Sequence, residues 1–187
     1  MAKETVLHIL VTLIMTVAIW LLGAIPGTAA GIVSMFMPIL FLVMLNCILS
    51  GPVYGLIVGV FGPLFLSILF PSNRILRDII ADSFFYATAA MVTGILYSVL
   101  KTAVGAVSSG FLVSTIVYGI VRIFTSLAVS STYYLRPFLY ESFIFCWPGI
   151  VITAAGVPAL IVLFRHTGVM WAMRHERINR WEKRENS

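Results

Sequence analysis

Two neighbouring apolar stretches carry side chains whose types and spacing could do chemistry. On one, Thr115, Tyr118, Arg122 and Thr125/Ser126 recur every three or four residues and so share a helix face. On the stretch before it, Asp82, Tyr86, Thr93 and Tyr97 share a face, with Ala89 and Ala90 between them. An arginine flanked by tyrosines is suited to grip a carboxylate or phosphate in a desolvated site, where charge-assisted bonds are strongest. Arg122 lies within the apolar run Val104 to Val129. A charge near the centre of a membrane helix costs roughly 3 kcal/mol, so it usually marks a function. Two other uses remain open: snorkelling of the guanidinium to the interface, or pairing with Asp82 or Glu141.

The elements that must position these groups follow from composition. Sixty per cent of the 187 residues are hydrophobic and ten per cent are charged. That is too much apolar surface for a soluble domain to hide, so the chain reads as an all-α integral membrane protein. A helical span needs about 20 apolar residues. Six stretches qualify: Val6–Ile25, Gly31–Leu49, Val53–Phe70, Ile79–Leu100, Val104–Val129 and Phe143–Phe164. They predict a compact six-helix bundle over residues 1–168, followed by a basic cytoplasmic tail over 169–187. The runs lack alternation and are too long for barrel strands. Lys3, the first apolar stretch and Thr28-Ala29-Ala30 resemble a signal peptide, but the stretch is long for one and five more spans follow. It is read as the first helix.

The same inventory narrows the chemistry. Cys47 and Cys146 fall within spans and suggest neither a disulfide framework nor a metal site. No phosphate loop, zinc-type spacing or catalytic triad is visible, and His8, His166 and His175 are scattered near span ends. No cofactor or metal is expected. An enzyme would have only Asp82, Glu141 and Arg122 to work with.

Basic residues orient the bundle. With the N-terminus inside, Lys3, Lys101, Arg165, Arg174, Arg177, Arg180, Lys183 and Arg184 are cytoplasmic, which predicts both termini inside. The net charge of +5 then needs no nucleic-acid partner. Inner connections are tight, at Ser50-Gly51-Pro52 and Lys101-Thr102; outer ones are longer and more polar. On the outer end Asp78, Asp82 and Glu141 face Arg74, Arg77, Arg122 and Arg136, leaving one positive charge over.

Other patterns concern packing. The first stretch has its own polar stripe, Thr5, His8, Thr12, Thr16 and Trp20, expected to face the bundle interior or to knit helices. Gly51, Gly55 and Gly59 repeat every four residues before Gly62-Pro63, which permits close helix approach within this bundle or against another subunit. Pro38, Pro63, Pro148 and Pro158 lie inside the expected spans. From Met170 to Arg184, Trp171, Ile178 and Trp181 sit among five cations, an amphipathic helix suited to anionic membrane lipids.

The stretch Leu49-Ser50-Gly51-Pro52-Val53-Tyr54-Gly55, then Gly59, Pro63-Leu64 and Ser67, resembles the substrate-binding S components of energy-coupling factor vitamin transporters. That family shows a Gly-Pro-x-x-Gly-x-x-x-Gly pattern, with a proline soon after, opening its third helix. Asp82, Tyr86 and Gly94-Ile95-Leu96-Tyr97 look like its fourth helix. The likeness covers roughly residues 6 to 165 and includes size, span number and inside termini.

The resemblance implies a vitamin bound near the outer face, a transmembrane coupling subunit and two cytoplasmic ATPases as partners, and no ATP hydrolysis by this chain. Arg122 would hold the ligand's anionic group. Tyr86 and Tyr118 would wall the pocket, with Asp82 nearby and Asn73, Arg74, Tyr133, Tyr134 and Arg136 contributed by gating loops. Pantothenate is the favoured ligand, with pyridoxine- or thiamine-precursor-like molecules next. Docking would fall to Gly51, Gly55 and Gly59, or to the first helix. That helix departs from the family's Ala-x-x-x-Ala contact motif, offering Thr12-x-x-x-Thr16 and Ala18. A ligand-free structural membrane protein or a small membrane enzyme is the competing class.

Overall fold

A computed structural model describes residues 2–23, 37–69, 76–128 and 146–166. Six helices make up these segments: α1 (Ala2–Gly23), α2 (Pro38–Ser50), α3 (Pro52–Leu69), α4 (Leu76–Leu100), α5 (Ala103–Ala128) and α6 (Trp147–His166). No strand occurs among the described residues. Five of the six are long and apolar enough to cross a membrane, so this is a multi-pass, all-α membrane protein.

The exception is α2. It covers 13 residues, short of a span by itself, while residues 31–36 of the expected second stretch lie outside the described residues. Leu40 and every residue from Val43 to Ser50 are buried, because α1, α3, α4 and α6 all pack on it.

Several ends are set by local backbone chemistry. Only Gly51 separates α2 from α3, at φ 106° and ψ 167°, a combination open essentially to glycine alone. Its N–H donates to the Cys47 carbonyl, and its own carbonyl accepts from Gly55 N–H. Pro52 follows at the first position of α3, where a missing N–H costs nothing. At the α4–α5 corner Lys101 adopts φ 55° and donates its N–H to the Tyr97 carbonyl, ending α4 in a left-handed cap. Thr102 then accepts from Ala106 N–H and starts α5.

Two of the four prolines expected inside spans open helices instead. Pro38 lies in the first turn of α2 and Pro148 is the second residue of α6. Pro63 and Pro158 are interior to α3 and α6. The Ser67 hydroxyl donates to the Pro63 carbonyl at 2.9 Å.

Contacts between named residues give the helix directions. His8 stacks on Tyr54 and Trp20 meets Phe65 edge-on, so α1 and α3 run the same way. Pro52 lies against Gly94, Gly55 against Ala90 and Gly59 against Tyr86, so α3 and α4 are antiparallel. Thr93 lies against Gly110 and Phe85 against Tyr118, so α4 and α5 are antiparallel too. The start of α1, the Gly51 corner and the Lys101 corner therefore share one end of the bundle. Asp82 and Arg122, each six residues from a helix end, lie toward the other.

Candidate functional site

The two-residue connection at Lys101-Thr102 sets the register of the α4–α5 hairpin, and that register brings Asp82, Tyr118 and Arg122 together. Tyr118 Oη donates to Asp82 Oδ1 at 3.1 Å. Arg122 Nε donates to Tyr118 Oη at 3.0 Å. The guanidinium carbon also lies 5.2 Å from the centre of the Tyr118 ring, within cation–π range. One phenol hydroxyl thus bridges a cation and an anion on adjacent helices.

This seam lies between two helices of membrane-spanning length. Asp82 and Arg122 both fall within the membrane-length windows Ile79–Leu100 and Ala103–Phe124. Each sits roughly 9 Å from its helix end, at 1.5 Å per residue. All three side chains are half-buried. Arg122 bonds through its Nε to the Tyr118 hydroxyl, which in turn donates to Asp82 across the α4–α5 seam.

Aromatic rings back the polar chain. Phe85 meets Tyr118 edge-on with ring centres 5.6 Å apart, and meets Tyr86 at 5.1 Å and Phe111 at 6.4 Å. Phe85 and Phe111 were not legible as site residues. They stand three residues after Asp82 and seven before Tyr118, the right helical spacing, but phenylalanine carries no signal within an apolar run.

The close approach of α3 to α4 positions Tyr86. A methyl group at Gly59 would come within 2.8 Å of the Tyr86 carbonyl group and 2.9 Å of Ala87 N. One at Gly55 would overlap the Cys47 side chain and reach Ala90 at 3.2 Å; one at Gly94 would reach Pro52 at 2.8 Å. The glycine repeat of α3 and Gly94 of α4 therefore serve one antiparallel interface inside this chain. Gly55 and Gly59 thus pack internally, against Cys47 and Ala90 and against the Tyr86 backbone. Gly51 has open space around it and serves the corner instead.

The remaining polar stripes divide. Thr93, Thr115 and Thr12 are buried, as an inward face requires, whereas Thr5 is exposed. Thr115 donates to the Phe111 carbonyl at 2.9 Å and Thr16 to the Thr12 carbonyl at 2.8 Å, so both hydroxyls serve their own helices. Ala18 is half-buried on α1. In α2, sequence reasoning passed over Asn46, which is fully buried and accepts from the Ser50 hydroxyl at 3.3 Å.

Asn73, Arg74, Tyr133, Tyr134 and Arg136, expected as gating-loop contributors, lie outside the described residues, as do Glu141 and the tail over 169–187. The side chains of Arg77, Asp78, Thr125 and Ser126 also lie outside them. Among the described residues no three His, Cys, Asp or Glu side chains converge as a metal site would require. No protein-family model, curated protein or solved structure matches this chain.

Proposed function

We propose that this chain is the substrate-binding subunit of an importer of the energy-coupling-factor type, capturing a small polar micronutrient at the Asp82–Tyr118–Arg122 end of the bundle. The observation that carries this reading is the polar chain itself: two opposite charges on adjacent membrane helices, joined by one hydroxyl and backed by aromatic rings. Ionisable groups at such depth are costly and are kept where a pathway or ligand uses them. Arg122 supplies the anchor for a carboxylate, with pantothenate the favoured candidate, and Tyr86 and Tyr118 supply the wall. Supporting features are the multi-pass architecture and the resemblance through the Gly51-Pro52 corner and the facing motifs of α3 and α4.

In this reading both termini face a bacterial cytoplasm, which puts the Gly51 and Lys101 corners inside and the charge pair near the outer face. The positive-inside bias supports that orientation. A coupling subunit and two ATPases complete the importer, and the basic tail lies on anionic lipids.

A structural reading draws on the same bridge. Tyr118 joins Asp82 to Arg122 across α4 and α5, which is also how a ligand-free bundle would neutralise its membrane charges. Gentle extraction of the full chain, with mass spectrometry of what accompanies it, separates the two. The importer reading expects a bound carboxylate together with a coupling subunit and ATPases. Finding neither, with uptake indifferent to Arg122→Leu, rejects it.

A further inference from the structure

We infer that Phe85 is a positioning residue of the solute site: its buried ring fixes where the Tyr118 hydroxyl stands, and through that hydroxyl it braces the Arg122 anchor. This deepens the solute-binding reading above and rests on it. The hydroxyl sits at the far end of a long, rigid side chain. A small swing within one rotamer well therefore displaces it more than any atom of the ring. Bonds of 3.1 Å to Asp82 and 3.0 Å from Arg122 leave little room for such a swing. The ring needs support from its sides.

That support comes from both helices. Arg122, one turn along α5, lies over the Tyr118 ring with its guanidinium carbon 5.2 Å from the centre. Phe85 meets the same ring from α4, with centres 5.6 Å apart and planes at 68°. Phe111, two turns inward along α5, meets Phe85 at 6.4 Å and 89°. Phe111, Ser114, Thr115 and Tyr118 stand at i, i+3, i+4 and i+7, the four positions that bound a hole for a knob from a facing helix. Phe85 is that knob, in ring contact with the first and last of the four. Ser114 and Thr115 are buried and donate to the Phe111 carbonyl at 2.8 and 2.9 Å, so both hydroxyls are satisfied within α5.

Phe85 also follows Asp82 by three residues, on the same face of α4. One side chain thus seats both the carboxylate and the hydroxyl that reaches it. A core filler and a positioning ring make different demands. Filling needs only apolar volume, most of which leucine supplies. Positioning needs the flat ring, because aromatic pairs prefer defined orientations that a branched alkyl chain lacks. Groups whose supporting side chains are loose lose the geometry that binding uses.

Phe85→Leu in the purified full-length chain tests this with two readouts. One is the affinity for pantothenate by calorimetry. The other is the carbon NMR resonance of Tyr118 Cζ, which responds to hydrogen bonding of the phenol and is assigned with Tyr118→Phe. The expected result is affinity weaker by about two- to tenfold, the worth of one weakened hydrogen bond, together with a displaced Tyr118 resonance. Phe85→Met takes over both readouts if the leucine variant fails to fold. An unmoved Tyr118 resonance, or unchanged affinity where the wild type binds, makes Phe85 a core filler and overturns the inference, whatever the loss of thermal stability. Binding that is lost in Arg122→Gln but kept in Phe85→Leu leaves the solute-binding reading standing without it. A wild-type chain that binds no pantothenate rejects that ligand, and the Tyr118 resonance then decides the positioning role by itself.

Discussion

Arg122 Nε lies 3.0 Å from the hydroxyl oxygen of Tyr118, one turn away on the same helix. That contact makes Tyr118 a positioning residue, since the same hydroxyl donates to Asp82 on α4. The Tyr118 hydroxyl therefore links Arg122 on α5 to Asp82 on α4.

Tyr118→Phe removes that oxygen and keeps the ring against Phe85. The expected loss is about 1–2 kcal/mol of stability, between the small average for membrane hydrogen bonds and the larger values for charged ones. Unfolding in mixed micelles measures it. A double-mutant cycle with Asp82→Ala should show the two losses to be strongly non-additive, because both delete the same bond. Additive losses would mean that the bond is energetically idle.

Arg122→Gln should weaken ligand binding by roughly ten- to hundredfold, the cost of a lost charged hydrogen bond at ~1.5–3 kcal/mol. A titration with the ligand that accompanies the purified chain is the direct measurement. Unchanged affinity would confine Arg122 to the structural role of bracing the Tyr118 hydroxyl that reaches α4.

The glycines of α3 should respond according to what each one meets. Gly59→Ala pushes a methyl group into the backbone of α4 at Tyr86, so α3 and α4 must separate, and both stability and ligand binding should fall. Gly55→Leu should likewise impair folding or binding, because its side chain would enter the Cys47 contact. A Gly55→Leu chain that binds ligand normally but no longer transports would place the docking surface there after all.

Gly51→Ala should cost about 1–3 kcal/mol through backbone strain alone. Nothing lies within 4 Å of the added methyl group, while the φ of 106° is one that alanine rarely adopts. A loss near zero in thermal unfolding would show that the α2–α3 corner can relax.

Lys101→Gly should act in the opposite direction. A non-glycine residue at φ 55° carries about 1–2 kcal/mol of strain. Glycine relieves it and gives back about 0.4–1 kcal/mol as unfolded-state entropy. A net gain of roughly 0.5–1 kcal/mol in chemical denaturation is expected. A loss instead would assign the Lys101 side chain a stabilising role that the strain does not reveal.

How far the sequence could be read depends on which forces leave a local trace. Five spans were legible to within a few residues, because lipid demands about 20 apolar residues wherever a helix crosses. The fifth stretch, expected over Val104–Val129, forms Ala103–Ala128. The polar stripe of α5 was legible from its spacing, since helical period is a local property. The burial of Val43 to Ser50 was not legible, because contact with four other helices is a property of tertiary packing. Pro38 and Pro148 were read as interior because hydropathy does not mark where a helix starts.

Taken alone, then, the sequence determined the class of molecule and the faces of its helices. Apolar run length dictates spanning helices, and periodicity dictates which side chains share a side. It left Arg122 with several possible partners and Gly55 and Gly59 with two possible faces to fill. Tertiary structure set the Tyr118 hydroxyl between Arg122 and Asp82 and packed Gly55 and Gly59 inside the bundle. The short corner at Lys101-Thr102 fixes the register of α5 on α4 and brings Tyr118 to Asp82, while the close packing of α3 on α4 brings Gly59 to Tyr86. Those meetings join residues 36 and 27 positions apart in the chain, beyond the reach of any local pattern.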